Sequence, residues 1–236
     1  MPLFRLPNSF ANATTNMAID AALLQSVPAK VALFRHYAWS EPTITFGYTQ
    51  KWKEVHPQFL SSLVFCRRIT AGGIVDHRND WTYALILGTG LGGVLKKSSE
   101  LYLILHNCMV AELTKQTIQC TLAPCPRKCS VIEMPEIANC FQQAVANDVI
   151  TKNGQKIAGA AIKRNRQGLL VQGSIDRQTL PHDFDFNTFS QGLVEELSHA
   201  LDIPIGHSND LRSFFNSTLI EQARVRFESD KWQERR

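Results

Sequence analysis

The chain has 236 residues, with 25 Lys and Arg against 21 Asp and Glu, a formal net charge of +4, 44% hydrophobic residues and 19% charged ones. That balance belongs to a globular chain long enough to bury an ample core, and it excludes a disordered or low-complexity one. The basic residues are scattered, with small groups at Lys96-Lys97, at 163–166 and at the C-terminus, which is no nucleic-acid stripe. Apolar runs such as 83–87 fall far short of the roughly 20 residues that a membrane helix needs. No nucleic-acid or membrane partner is expected. With no signal-peptide pattern at the N-terminus, the expected location is cytoplasmic, where the six cysteines would be thiols.

In chain order, residues 31–37, 43–47 and 63–68 are short apolar, β-branched and aromatic runs bounded by Pro, Gly, Ser and charged residues, and they read as strands. Another strand is predicted at 82–87, so that 71–81 would connect two strands of one sheet. Leu101, Ile104, Leu105, Cys108, Met109 and Leu113 recur at helical spacing, with Ser98 or Ser99 available as N-cap. Residues 149–152 and 155–157 flank Asn153-Gly154, a pair suited to a type I′ hairpin turn, which would set Lys156 on an exposed hairpin strand. A turn at 166–168 leads to a strand at 169–175, and helices are predicted at 189–200 and 211–227. Strands followed by packing helices imply an α+β fold with a mostly antiparallel mixed sheet flanked by helices. No linker is evident, so one domain over 1–236 is expected.

Residues 67–83, RRITAGGIVDHRNDWTY, concentrate chemistry. Two adjacent glycines give the backbone left-handed freedom and let a ligand come close to bare N–H groups, while an arginine beside them suits a phosphate or a carbonyl. Arg68 is ranked above Arg67 for that contact, although strand alternation also allows Arg67 to point inward. Cys120, Cys125 and Cys129 lack paired CxxC spacing and a nearby histidine, so no metal site is assigned.

The spacing of Arg67-Arg68, Gly72-Gly73, Val75 and His77 resembles the ligand-binding motif RRxxGGGxVxHD of the lipoate-protein ligase and octanoyltransferase family. The stretch 147–175, with Lys156, Gly159 and Gly173-Ser174-Ile175, is similar to that family's hairpin and following strand, and 16–24 with 33–47 looks like its first helix and strand pair. The resemblance implies a biotin/lipoate ligase-like fold, related to class II aminoacyl-tRNA synthetases, and acylation of carrier-domain lysines. Arg68, Gly72, Gly73, His77, Gly159 and Ser174 would then bind substrate, and Lys156 would stabilise the oxyanion of a tetrahedral intermediate, with Gly159 leaving room for the acyl chain. Cys140, followed by Phe141 and sixteen residues before Lys156, is similar in placement to the nucleophile of the cysteine-dependent octanoyltransferases. Two departures stand out. Ala71 replaces the first motif glycine and adds a methyl near the ligand, and Arg78 replaces the aspartate after His77. The transferase version needs no cofactor and takes octanoyl from acyl carrier protein, whereas the ligase version uses ATP and Mg²⁺ to make lipoyl-AMP. In both, the acceptor would be a lipoyl domain or a glycine-cleavage H-type carrier. A reading of another class, an acyl- or carrier-binding module without catalysis, is opposed by retention of Lys156.

Overall fold

The computed structural model describes residues 1–60, 62–125 and 144–235. Its frame is a mixed sheet in the order β1 (Leu3–Arg5), β3 (Ala32–Trp39), β7 (Asp80–Gly88), β11 (Gly168–Asp176), β10 (Lys156–Arg164), β9 (Val149–Thr151) and β8 (Cys120–Leu122), with β2 (Ser9–Ala11) also paired to β3. β1 and β2 run parallel to β3, and the remaining neighbours pair antiparallel. A smaller sheet has the order β5 (Val64–Arg67), β4 (Thr43–Phe46), β6 (Val75–Asp76).

The unbroken apolar run in β7 explains why the large sheet is covered on both faces. Strand alternation sends Tyr83, Leu85 and Leu87 to one side and Ala84 and Ile86 to the other. Beyond two four-residue helices, α2 (Trp52–Val55) and α3 (Gly92–Leu95), the first side is covered by α4 (Ser98–Lys115) and α5 (Phe186–Leu201) through Leu101, Leu105, Leu193 and Leu197. The second side holds α1 (Ala13–Ser26) through Met17, Leu23 and Leu24, backed by Phe227 of α6 (Ser217–Glu228) and Trp232 of α7 (Asp230–Gln233). Caps fix the helix starts. Asn12 accepts from the Thr15 N–H at 2.9 Å, and Asp185 accepts from the N–H groups of Asn187 and Thr188 at 2.9 and 3.1 Å.

Several sequence expectations are corrected. The stretch 71–81 does not join two strands of one sheet: it leaves the small sheet after β5, adds β6 to that sheet, and only then enters β7 of the large one. The turn at Asn153-Gly154 is not type I′, because only Gly154 has positive φ, at +82°, and its N–H bonds the Thr151 carbonyl at 3.0 Å. Ser98 is already helical, with Lys97 in the capping position and no side-chain cap. The predicted helix at 211–227 is two elements, a 3-10 turn at Leu211–Phe214 and α6, because the Asn216 side chain accepts from the Leu219 N–H and starts a new helix. No helix among the described residues is long and apolar enough to cross a membrane.

Candidate active site

A cavity of about 150 Å³ lies where β10, β11, α1 and the β5–β6 loop meet, and Arg68, Gly72, Gly73, His77, Lys156, Gly159 and Ser174 all line it. Residues distant in sequence thus share one concavity, whose remaining wall is largely apolar, with Met17, Tyr37, Trp39, Val75, Val145, Ala160 and Ala161. Cys140 lies outside the described residues. Ala71 is exposed and does not line the cavity. Its methyl group is therefore not part of the cavity wall.

Lys156 is the first residue of β10, and it is not the exposed hairpin lysine that the sequence suggested. Its side chain is 6% exposed and its Nζ lies 2.7 Å from Oδ2 of Asp148, which is fully buried. The carboxylate is held in turn by the Val145 N–H at 2.7 Å and by the Tyr102 hydroxyl, which also accepts from the Ala160 N–H at 3.2 Å. A buried ammonium tolerates desolvation only when paired. Gly159 makes the pairing possible: a Cβ there would lie 2.6 Å from Cε and 2.7 Å from Nζ of Lys156. The folded-over tip of Lys156 thus takes the place that a side chain at 159 would fill.

The two arginines separate cleanly. Arg67 turns away from the cavity, donates from Nη2 to the Gln233 carbonyl at 2.8 Å and from Nε to that of Trp232 at 3.1 Å, and so ties β5 to the C-terminal helices. Arg68 lines the cavity and donates from Nη2 to the carbonyls of Ala71 and Gly73 at 3.1 and 2.9 Å and from Nη1 to the Thr45 hydroxyl at 2.8 Å. It shapes the glycine loop. Gly72 needs its residue type for backbone reasons, having φ of +94° with its carbonyl pressed against Gly47.

His77 is buried under Trp39, with ring centroids 4.1 Å apart. Its Nδ1 lies 2.7 Å from Oδ2 of Asp80 and its Nε2 2.6 Å from the Thr45 hydroxyl. A carboxylate only accepts, so Nδ1 donates to Asp80, while the Thr45 hydroxyl that accepts from Arg68 is the partner of Nε2. Asp80 also accepts from the hydroxyls of Thr82, at 2.8 Å, and Ser174. Arg78 pairs on the surface with Asp76. The carboxylate missing after His77 is thus supplied three residues along, by Asp80.

Asp80, Asp148, Thr45 and Tyr102 are the site residues that sequence reasoning missed. Asp148 carried a signal in retrospect, as an acidic residue just before a predicted apolar strand; Tyr102 carried none, since it lies on α4 far along the chain. Beneath them, Gln172 accepts from the Thr70 hydroxyl and donates to Asp20, both at 2.7 Å, and Asp20 pairs with Arg35 at 2.8 Å. Burial holds the Asp20 carboxyl above its ordinary range even with Arg35 beside it.

His106, stacked edge-on against Tyr102, donates from Nδ1 to the Asn147 carbonyl at 2.6 Å. Burial pushes its imidazole down to about 4. From pH 6.5 downward the unfolded chain takes up a proton that the folded one refuses, so this contribution is intact above pH 6.5 and is lost as pH falls toward 4, by about 3 kcal/mol. In urea unfolding at pH 7 and pH 4.5, His106→Gln is expected to lose less stability on acidification than the wild type. Equal losses in the two proteins would assign the acid sensitivity to other groups.

The fold and the site together define an α+β protein in which a glycine loop and a buried lysine face one largely apolar cavity. The chain belongs to the lipoyl protein ligase A/B catalytic domain family, whose model matches residues 12–200. It is 31% identical over 173 residues to the octanoyltransferase LipM of Kyrpidia tusciae, a match covering 70% of this chain and 62% of that protein. To LipM of Bacillus cereus it is 27% identical over 225 residues, 90% of this chain and 80% of that one. Among solved structures, protein Ta0514 of T. acidophilum with bound lipoic acid superposes with a TM-score of 0.73 at 15% identity, covering 100% of this chain and 99% of that one. That likeness is one of fold.

Proposed function

We propose that the protein is a lipoyl-domain acyltransferase of the cysteine-dependent kind, moving an octanoyl group from a thioester donor to a carrier lysine. The observation that carries the reading is the buried Lys156 ammonium, fixed by Asp148 at the wall of a largely apolar cavity. Similarity to proteins named octanoyltransferase favours the transferase over an ATP-dependent ligase. The Cys140 thiolate attacks the donor carbonyl, the C–S bond to the donor breaks and its thiol leaves, giving an octanoyl-Cys140 thioester. The carrier amine then attacks that carbonyl, loses a proton and releases Cys140, leaving an amide. Lys156 stabilises the oxyanion in both steps, and Arg68 keeps Gly72 and Gly73 folded over the chain. Acyl carrier protein is the proposed donor, and a lipoyl domain or glycine-cleavage H-type protein the acceptor.

Mixing the protein with octanoyl-carrier thioester without ATP is expected to give one octanoyl adduct by mass spectrometry, removed by hydroxylamine and not formed as a thioester by Cys140→Ser. Should Cys140→Ala transfer at the full rate and the wild type require ATP and Mg²⁺, the reaction is ligation through lipoyl-AMP.

A further inference from the structure

A second, polar cavity of about 410 Å³ lies between α1, α6, α7 and the β10–β11 turn. Three cations converge on two aromatic rings at its wall. Arg226 lies 3.7 Å from the Trp232 ring centroid, Lys163 lies 5.3 Å from that of Tyr48, and Arg235 lies over both, at 4.2 Å from Tyr48 and 5.2 Å from Trp232. No carboxylate lines the cavity, and none of the three cations has an ion pair among the described residues. Burial and the neighbouring Arg235 both weaken the hold of Arg226 on its proton. Like charges gathered in a polar concavity without a counter-ion mark an anion site.

The place of this cavity relative to the acyl cavity indicates which anion. α1 lines both, from Met17 in the first to Gln25 in the second, about 12 Å along a helix. β10 also lines both, from Gly159 to Lys163, about 13 Å along a strand. Tyr48 follows Gly47, which abuts the carbonyl of exposed Gly72 at the rim of the acyl cavity. A ligand leaving Lys156 over Gly72 and Ala161 therefore runs toward the three cations.

We propose that this second cavity binds the phosphate ester of the acyl donor's arm, with Lys163 and Arg226 as the principal contacts. The proposal rests on the transferase reading, because a thioester donor on a phosphopantetheine arm carries its phosphate at a distance from the reacting carbonyl. A concavity that sets Lys163 and Arg226 beside side-chain amides such as Gln25 and Gln222 suits a compact phosphate rather than a flat acidic protein surface.

Calorimetric titration of the full chain with phosphopantetheine and with phosphate-free pantetheine tests it. The phosphate is expected to tighten binding roughly tenfold or more, the usual worth of charge-assisted hydrogen bonds, and K163Q/R226Q is expected to abolish that ratio. K163Q alone, and R226K, which keeps the charge, guard against misfolding of the double variant: the first should reduce the ratio and the second largely preserve it. An unchanged ratio in K163Q and in the double variant, or none in the wild type, overturns the proposal. If inorganic phosphate binds as tightly as phosphopantetheine, or ATP binds more tightly and loses its affinity in K163Q/R226Q, the cavity serves a free anion or a nucleotide instead. Transfer from octanoyl-pantetheine to a lipoyl domain, measured alongside, tests the transferase reading separately, since binding is read without turnover.

Discussion

Lys156→Met is expected to lower octanoyl transfer by about 10²–10³-fold, the cost of removing one fixed donor from an oxyanion, and also to destabilise the fold. The second effect follows from the ion pair rather than from the chemistry. Methionine keeps the stem of the side chain but leaves the fully buried Asp148 carboxylate without its cation, and breaking one side of such a pair costs about 3–5 kcal/mol. Tyr102 and the Val145 N–H still donate to the carboxylate, which places the loss near the lower end. Adding Asp148→Asn removes the orphaned charge, so the double variant should recover much of the stability and none of the activity. Denaturant unfolding and the transfer assay on the same samples separate the two. If the double variant recovered transfer along with stability, Lys156 would be a structural lysine and the oxyanion role would fall.

That separation matters because an isolated sequence makes Lys156 look solvated. The turn residues Asn153-Gly154 and the strand that follows were legible, since turn chemistry is local, yet nothing local reported that Asp148, eight residues earlier, folds under the strand to meet the ammonium. The same limit explains His77. Its motif register was visible, whereas its carboxylate, Asp80, became its partner only because β6 and β7 belong to different sheets and the chain bends between them. Strands with unmistakable composition, such as β7 and β11, lie within a few residues of their predicted bounds because both faces are buried and each carries an apolar run, 83–87 in β7 and 169–171 in β11. Arg67 and Arg68 illustrate the converse. Alternation said that they diverge, but which one faces the cavity depends on the C-terminal helices that capture Arg67 from far along the chain.

Gly159→Ala is expected to reduce transfer by about a hundredfold while leaving every charged residue of the site in place, because misplacing a catalytic group by about 1 Å costs that much. The added Cβ would sit 2.6 Å from Cε and 2.7 Å from Nζ of Lys156, and 3.0 Å from Oδ1 of Asp148. All three lie well inside contact distance, so the lysine tip has to move. The strand itself need not change, since Gly159 has no left-handed φ and pairs in register with Ser174 of β11. The variant therefore tests the position of the ammonium rather than its presence. Loss of transfer with a stability loss smaller than that of Lys156→Met is the expected outcome, because the displaced ammonium still offsets the Asp148 charge, and pairing Gly159→Ala with Lys156→Met should then cost little transfer beyond Lys156→Met alone, because both remove the same contact to the oxyanion. If the two losses multiplied, Gly159 would act on the acyl chain directly, as the sequence alone suggested, and the glycine would be part of the substrate pocket rather than the seat of the lysine.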